Sequence, residues 1–165
     1  MNLVLDASVC LKWYLAEAYL EPDSATAREL LVRVTDGRIR LCQPSVWRAE
    51  VVAVIARKLP ATTTLAASEL HAFGVEIDDS ANLLAHAGTL STKFDHHLFD
   101  TIYHAVAIEH DIDLITADEH YYRKARKLGH IVLLRDWHAP REVREEPASY
   151  RVRARKSPAR VRRKR

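Results

Sequence analysis

Glycine is scarce in this chain, with four in 165 residues: Gly37, Gly74, Gly88 and Gly129. No glycine-rich loop is therefore available to cradle a phosphate with backbone amides, which excludes the dinucleotide-binding and P-loop enzymes. The two cysteines, Cys10 and Cys42, lack Cys-x-x-Cys spacing and read as buried free thiols rather than as a disulfide or a zinc site. Nine histidines occur without a His-Glu-x-x-His motif, and His96 and His97 are adjacent instead of four apart, so most histidines read as surface residues. No apolar run approaches the roughly 18 residues of a membrane span. Met1 leads straight into LVLD without a basic region, a long apolar segment and a cleavage site, which implies a cytoplasmic protein with no membrane partner. Internal repeats are absent.

At 165 residues and 48% hydrophobic, the chain can bury one substantial core and is too short to imply two. Its net charge of +3 conceals an asymmetry. Nine of the 25 Lys and Arg lie in residues 151–165, RVRARKSPARVRRKR, which leaves 16 against all 22 acids in residues 1–150, a net of −6. The boundary is placed after residue 138: residues 1–138 form the folded domain, and 139–165 a basic tail with too little apolar surface to order itself. Such a tail reads as a solvated terminus or as an arm for nucleic-acid phosphates, with Arg151, Arg153, Arg155 and Lys156 as candidate contacts.

Within the body, short apolar runs alternate with helical patterns. Strands are predicted at 2–6, 39–42, 75–77, 114–116 and 131–134, separated by helices and with few hairpin signals. This points to an α/β domain with a mostly parallel sheet. The helix beginning at Ser45 contains Val46, Trp47, Ala49, Val51, Val52, Ala53, Val54 and Ile55 and is expected to be buried all round.

Four acids stand out against this frame. Asp6 ends the first strand and Asp118 ends the fourth, the positions where functional groups gather in a parallel sheet. Asp100 opens the helix before the Asp118 strand, 18 residues away, and Glu50 sits in the apolar third helix, where a carboxylate is costly without a cation or donors. Each aspartate alone is an ordinary helix cap. Together, four convergent carboxylates repel one another unless a divalent cation lies among them, and an all-carboxylate set selects Mg²⁺ or Mn²⁺ over zinc. Such cations imply chemistry on phosphates. His104, four residues after Asp100 on one helical face, could approach the site or an RNA phosphate. Glu119 reads as an exposed first-turn acid.

LDASV at 5–9, PSVWRAEVV at 44–52, FDTIYHAVA at 99–107 and LITAD at 114–118 together resemble the PIN-domain ribonucleases, specifically VapC-type toxins of toxin–antitoxin pairs. The resemblance spans roughly residues 2–135. It implies a three-layer α/β/α fold around a mostly parallel sheet of four to five strands, and Mg²⁺- or Mn²⁺-dependent endonucleolytic cleavage of RNA. It assigns the metal site to Asp6, Glu50, Asp100 and Asp118, with the hydroxyls of Ser8 and Thr116 lining it. It further implies a homodimer and a small antitoxin seated in an apolar groove, for which the helices carrying Trp13, Tyr14, Leu30 and Leu31 are candidate walls. The alternatives are a housekeeping PIN nuclease in RNA maturation or decay, and a non-catalytic RNA- or partner-binding module. Retention of all four acids speaks against the second.

Overall fold

A computed structural model describes residues 1–19 and 22–139; the basic segment, with Arg151, Arg153, Arg155 and Lys156, lies outside the described residues. The elements run β1 (Asn2–Leu5), α1 (Ala7–Tyr19), α2 (Ser24–Thr35), β2 (Arg40–Pro44), α3 (Trp47–Lys58), α4 (Thr63–Ala72), β3 (Val75–Asp78), α5 (Ala81–Phe94), α6 (Leu98–Glu109), β4 (Asp113–Thr116), α7 (Glu119–Ala125) and β5 (Ile131–Leu133). The five strands form one parallel sheet in the order β3-β2-β1-β4-β5, which bears out the expected α/β/α class.

β1 is central and reads LVL because it is covered on both faces: Leu3, Val4 and Leu5 are all buried. Right-handed crossovers set the layers. The chain winds one way through β1, β2 and β3, which stacks α1 to α4 on one face. It then reverses across the sheet to β4 and β5, which puts α5, α6 and α7 on the other. α6 is enclosed, with Thr101 through Ala107 buried in unbroken succession, which explains why its sequence shows no amphipathic period.

α3 departs from expectation. Only Trp47, Val51 and Ile55 are buried, while Ala49, Ala53 and Ala56 face solvent. The helix is one-sided because alanine, favourable in any helix environment, does not compel burial as valine or isoleucine does. β3, the least marked strand in the sequence, is an edge strand with Glu76 and Ile77 exposed. Cys10 and Cys42 are buried free thiols, as expected. No helix among the described residues is long and apolar enough to cross a membrane.

The strand order reverses between β1 and β4. In open parallel sheets such a reversal opens a crevice beyond the carboxyl ends of the two strands. The register Leu5↔Ile115, reinforced by the Asp6 amide donating to the Ile115 carbonyl at 3.0 Å, aligns Asp6 beside Thr116 at that crevice.

Candidate active site

Asp6 is the first residue past β1 and is 6% exposed. One carboxylate oxygen accepts the Ser8 amide at 2.9 Å, the other the Thr116 hydroxyl at 2.6 Å. Burial raises its pKa from 3.8 to about 6 against the lowering effect of these two hydrogen bonds, with the charges of Asp100 and Asp118 pushing the same way as burial. Thr116 serves both aspartates of the strand ends, since its hydroxyl oxygen also accepts the Asp118 amide at 3.0 Å. Ser8 ties the two strand ends together, accepting the Ala117 amide at 3.1 Å. Both hydroxyls therefore act within the chain, holding carboxylate and backbone in place.

Asp118 reconciles two roles that compete in the sequence. Its Oδ1 accepts the amides of His120 at 2.7 Å and Tyr121 at 3.0 Å and so caps α7. That leaves Oδ2 for the crevice. Asp100 enters from the first turn of α6, where burial raises its pKa, His96 lowers it and Asp118 raises it again. Glu50 reaches in from α3 and accepts the Tyr103 hydroxyl of α6 at 2.8 Å. Its pKa is pushed up from 4.5 to about 7, by burial first, opposed by Tyr103 and increased by Asp6 and Asp100. Neither Arg48 nor Arg57 neutralises Glu50: Arg48 donates to the Leu70 carbonyl at 3.0 Å, and Arg57 is exposed. The four acids named from the sequence thus share one crevice and one electrostatic field.

Two residues near them escape sequence reasoning. Tyr103 is core, and its hydroxyl is the donor that compensates Glu50. His96 is not a surface residue. Its side chain is 9% exposed, its ring stacks on Tyr121 with centroids 4.8 Å apart, and its Nε2 lies 3.1 Å from Asp100 Oδ2 and 3.6 Å from Asp118 Oδ2. Because it precedes α6, no helical spacing in the sequence marks it.

His104 fails as a site residue. It is fully buried, with Nδ1 2.9 Å from the Tyr121 hydroxyl and Nε2 2.8 Å from the Gly129 carbonyl, so no atom of it can meet an RNA. Gly129, at φ +86°, turns that carbonyl inward after α7. Glu119 is exposed and paired with Arg123 and Arg135, apart from the crevice.

The donor set suits a divalent cation. Asp100, Asp118 and His96 each bring a ligand atom within 4.8 Å of the others, and carboxylates with raised pKa values gain most from a positive neighbour. Beside His96 a cleft of about 600 Å³ opens, lined by Ser91, Thr92, Asp95, His97 and His120.

The structure is similar to a chain of VapBC2 from Rickettsia felis, solved bound to a DNA fragment from the promoter. The TM-score is 0.54 at 18% identity over 81% of this chain and 97% of that one. It is also similar to Mycobacterium tuberculosis VapC20, a toxin that cleaves the sarcin-ricin loop, with a TM-score of 0.57 at 15% identity over 73% of this chain and 94% of that one. At such identities the likeness is one of fold. No curated protein matches the sequence. The sequence model of the PIN domain, however, matches residues 3–127, a span that begins in β1, ends beyond α7 and encloses all four acids. A match over that much of the chain settles its kinship: the chain belongs to the PIN-domain family.

Proposed function

We propose that this chain is a metal-dependent endoribonuclease of the VapC type, hydrolysing RNA phosphodiester bonds in the cytoplasm as the toxin of a toxin–antitoxin pair. The observation that carries the reading is the meeting of Asp6, Glu50, Asp100 and Asp118 at the β1/β4 crevice, where burial and mutual repulsion hold Asp6 near 6 and Glu50 near 7. A fold that tolerates such a cluster gains stability from a divalent cation, and carboxylate oxygens favour Mg²⁺ or Mn²⁺.

In this reading Asp6, Asp100 and Asp118 would hold the cation, and Glu50 would orient a water for attack. A bound cation would supply a water of lowered pKa and offset the charge that builds on the phosphoryl oxygens. The remaining work falls to the chain itself. Thr116 and the Ser8 amide fix both oxygens of Asp6, and the α7 cap fixes Asp118. Glu50, anchored by the Tyr103 hydroxyl, would be placed to accept a proton from that water. Arg151, Arg153, Arg155 and Lys156 would supply the phosphate affinity that the acidic body lacks.

The antitoxin would occupy an apolar groove of about 600 Å³ between α1, α2 and α4, walled by Trp13, Tyr14, Leu31, Leu65 and Phe73. Trp13 is held there by its indole donating to the Ala27 carbonyl at 2.9 Å and by edge-on contact with Phe73. The helix carrying Leu30 and Leu31 contributes Leu31 to the groove, while Leu30 is fully buried in the core. An amphipathic helix suits such a groove. A homodimer belongs to the same proposal and is read by light scattering.

The test is incubation of the purified full chain with total RNA and Mg²⁺ or Mn²⁺, beside Asp6→Asn. Cleavage that needs the metal and is lost in the variant is expected. No metal-dependent cleavage, or equal cleavage by the variant, overturns the proposal.

A further inference from the structure

His96 is the feature of the crevice that four carboxylates do not account for. It lies between α5 and α6, where Asp95 takes φ +45° and the turn is fastened by two bonds to Ser91: the His96 amide donates to the Ser91 carbonyl at 3.1 Å, and the Ser91 hydroxyl donates to the His96 carbonyl at 2.6 Å. The ring is clamped against Tyr121, which is itself buried and hydrogen-bonded to His104. Backbone and ring are thus both fixed before any ligand arrives.

This clamp aims Nε2 inward. The atom is shielded from solvent and has no hydrogen-bond partner among the described residues, although Asp100 Oδ2 is 3.1 Å away and Asp118 Oδ2 3.6 Å. The imidazole nitrogen thus lies within ion-pair distance of two carboxylate oxygens and is hydrogen-bonded to neither. The separations suit a common partner. With ligand bonds of about 2.1 Å, neighbouring ligands lie about 3.0 Å apart in octahedral and about 3.4 Å apart in tetrahedral geometry. The His96–Asp100 distance matches the octahedral value, and the His96–Asp118 distance, 3.6 Å, is about 0.6 Å longer than it.

We propose that His96 Nε2 is a direct ligand of the cation beside the carboxylates of Asp6, Asp100 and Asp118, so that this chain holds it partly through an imidazole and thereby favours Mn²⁺ over Mg²⁺. Mg²⁺ takes oxygen ligands, dehydrates reluctantly and gains little from imidazole, whereas Mn²⁺, a transition-metal ion, accepts a nitrogen ligand among carboxylates more readily. An all-carboxylate site does not make that distinction. The inference rests on the metal-dependent reading above and concerns which atoms do the holding.

Pulsed EPR of Mn²⁺ bound to the full chain, labelled with ¹⁵N-histidine, reads the proposed bond without reference to activity. A ¹⁵N coupling of a directly bound nitrogen is expected in the wild type and is lost in His96→Ala. Calorimetric titration should show Mn²⁺ affinity falling about tenfold or more in His96→Ala, the scale on which even outer-shell partners of a metal site act. Mg²⁺ affinity should change about threefold or less. Absence of the coupling in wild type that binds Mn²⁺ overturns the inference and leaves the nuclease reading standing. So does its persistence in His96→Ala, or an equal loss for both ions, which would make His96 only a group that orients Asp100. Failure of the wild type to bind either ion sinks the metal-dependent reading itself.

Discussion

Replacing Asp6 by asparagine should stabilise the metal-free protein at neutral pH while abolishing cleavage. Asp6 is almost wholly buried, and its pKa rises from 3.8 to about 6. At 1.36 kcal/mol per pH unit, that difference is about 3 kcal/mol of folding free energy that the ionised carboxylate withholds. The sign follows from the direction of the shift. A carboxyl group whose folded pKa is raised contributes stability below its unfolded value, near pH 4, and loses it as pH rises through about 6. Asparagine keeps one acceptor oxygen but cannot serve both the Ser8 amide and the Thr116 hydroxyl as the carboxylate does, which costs about 1 kcal/mol at any pH. The net expectation for Asp6→Asn is a gain of about 2 kcal/mol at pH 8, a rise of about 4–8 °C in melting temperature for a chain of this size. At pH 4 the difference should vanish or reverse. Urea denaturation in EDTA at the two pH values measures it, and Mn²⁺ should then stabilise the wild type more than the variant. A variant less stable than wild type at both pH values would refute the electrostatic reasoning.

Three further outcomes follow from individual residues. Tyr103→Phe removes the donor to Glu50 and should raise the Glu50 pKa above about 7, costing about 1–3 kcal/mol of stability at pH 8 and little at pH 5; pH-dependent urea denaturation reads it. His104→Ala leaves the Tyr121 hydroxyl and Gly129 carbonyl unpaired in the core. It should destabilise by roughly 3 kcal/mol, which urea denaturation measures. Removing residues 151–165 takes away nine bases and should weaken RNA binding and flatten its salt dependence, by roughly 0.7 in logarithmic slope for each phosphate that the tail no longer neutralises. An unchanged slope would remove the tail from the RNA interface.

The sheet and the acid cluster are legible in the sequence for the same reason. A buried parallel strand must be apolar throughout, so LVL and LIT announce themselves, and the acid or cap that ends each one marks the carboxyl edge where a site can form. Less legible is whatever depends on packing between distant segments. Burial of α3 is overstated when alanines count the same as valines, and His104 looks available because a helical spacing from Asp100 says nothing of which layer covers the ring. His96 is hidden for the opposite reason. It precedes α6, outside any helical pattern, and only the clamp formed by Ser91 and Tyr121 brings it between the two aspartates. Tyr103 shows that one side chain can fill core and site roles at once, which composition and periodicity do not separate.

The chemistry of the cut ends tests the central claim most directly. Water activated at an acid-bound cation attacks phosphorus without help from the ribose 2′-hydroxyl, so the products should carry no 2′,3′-cyclic phosphate. Full-length protein with RNA and Mn²⁺ should yield fragments free of cyclic ends, EDTA should stop the reaction, and Asp100→Asn should yield none. Fragments ending in cyclic phosphate, or cleavage that continues in EDTA, would contradict a metal-dependent hydrolase at this crevice.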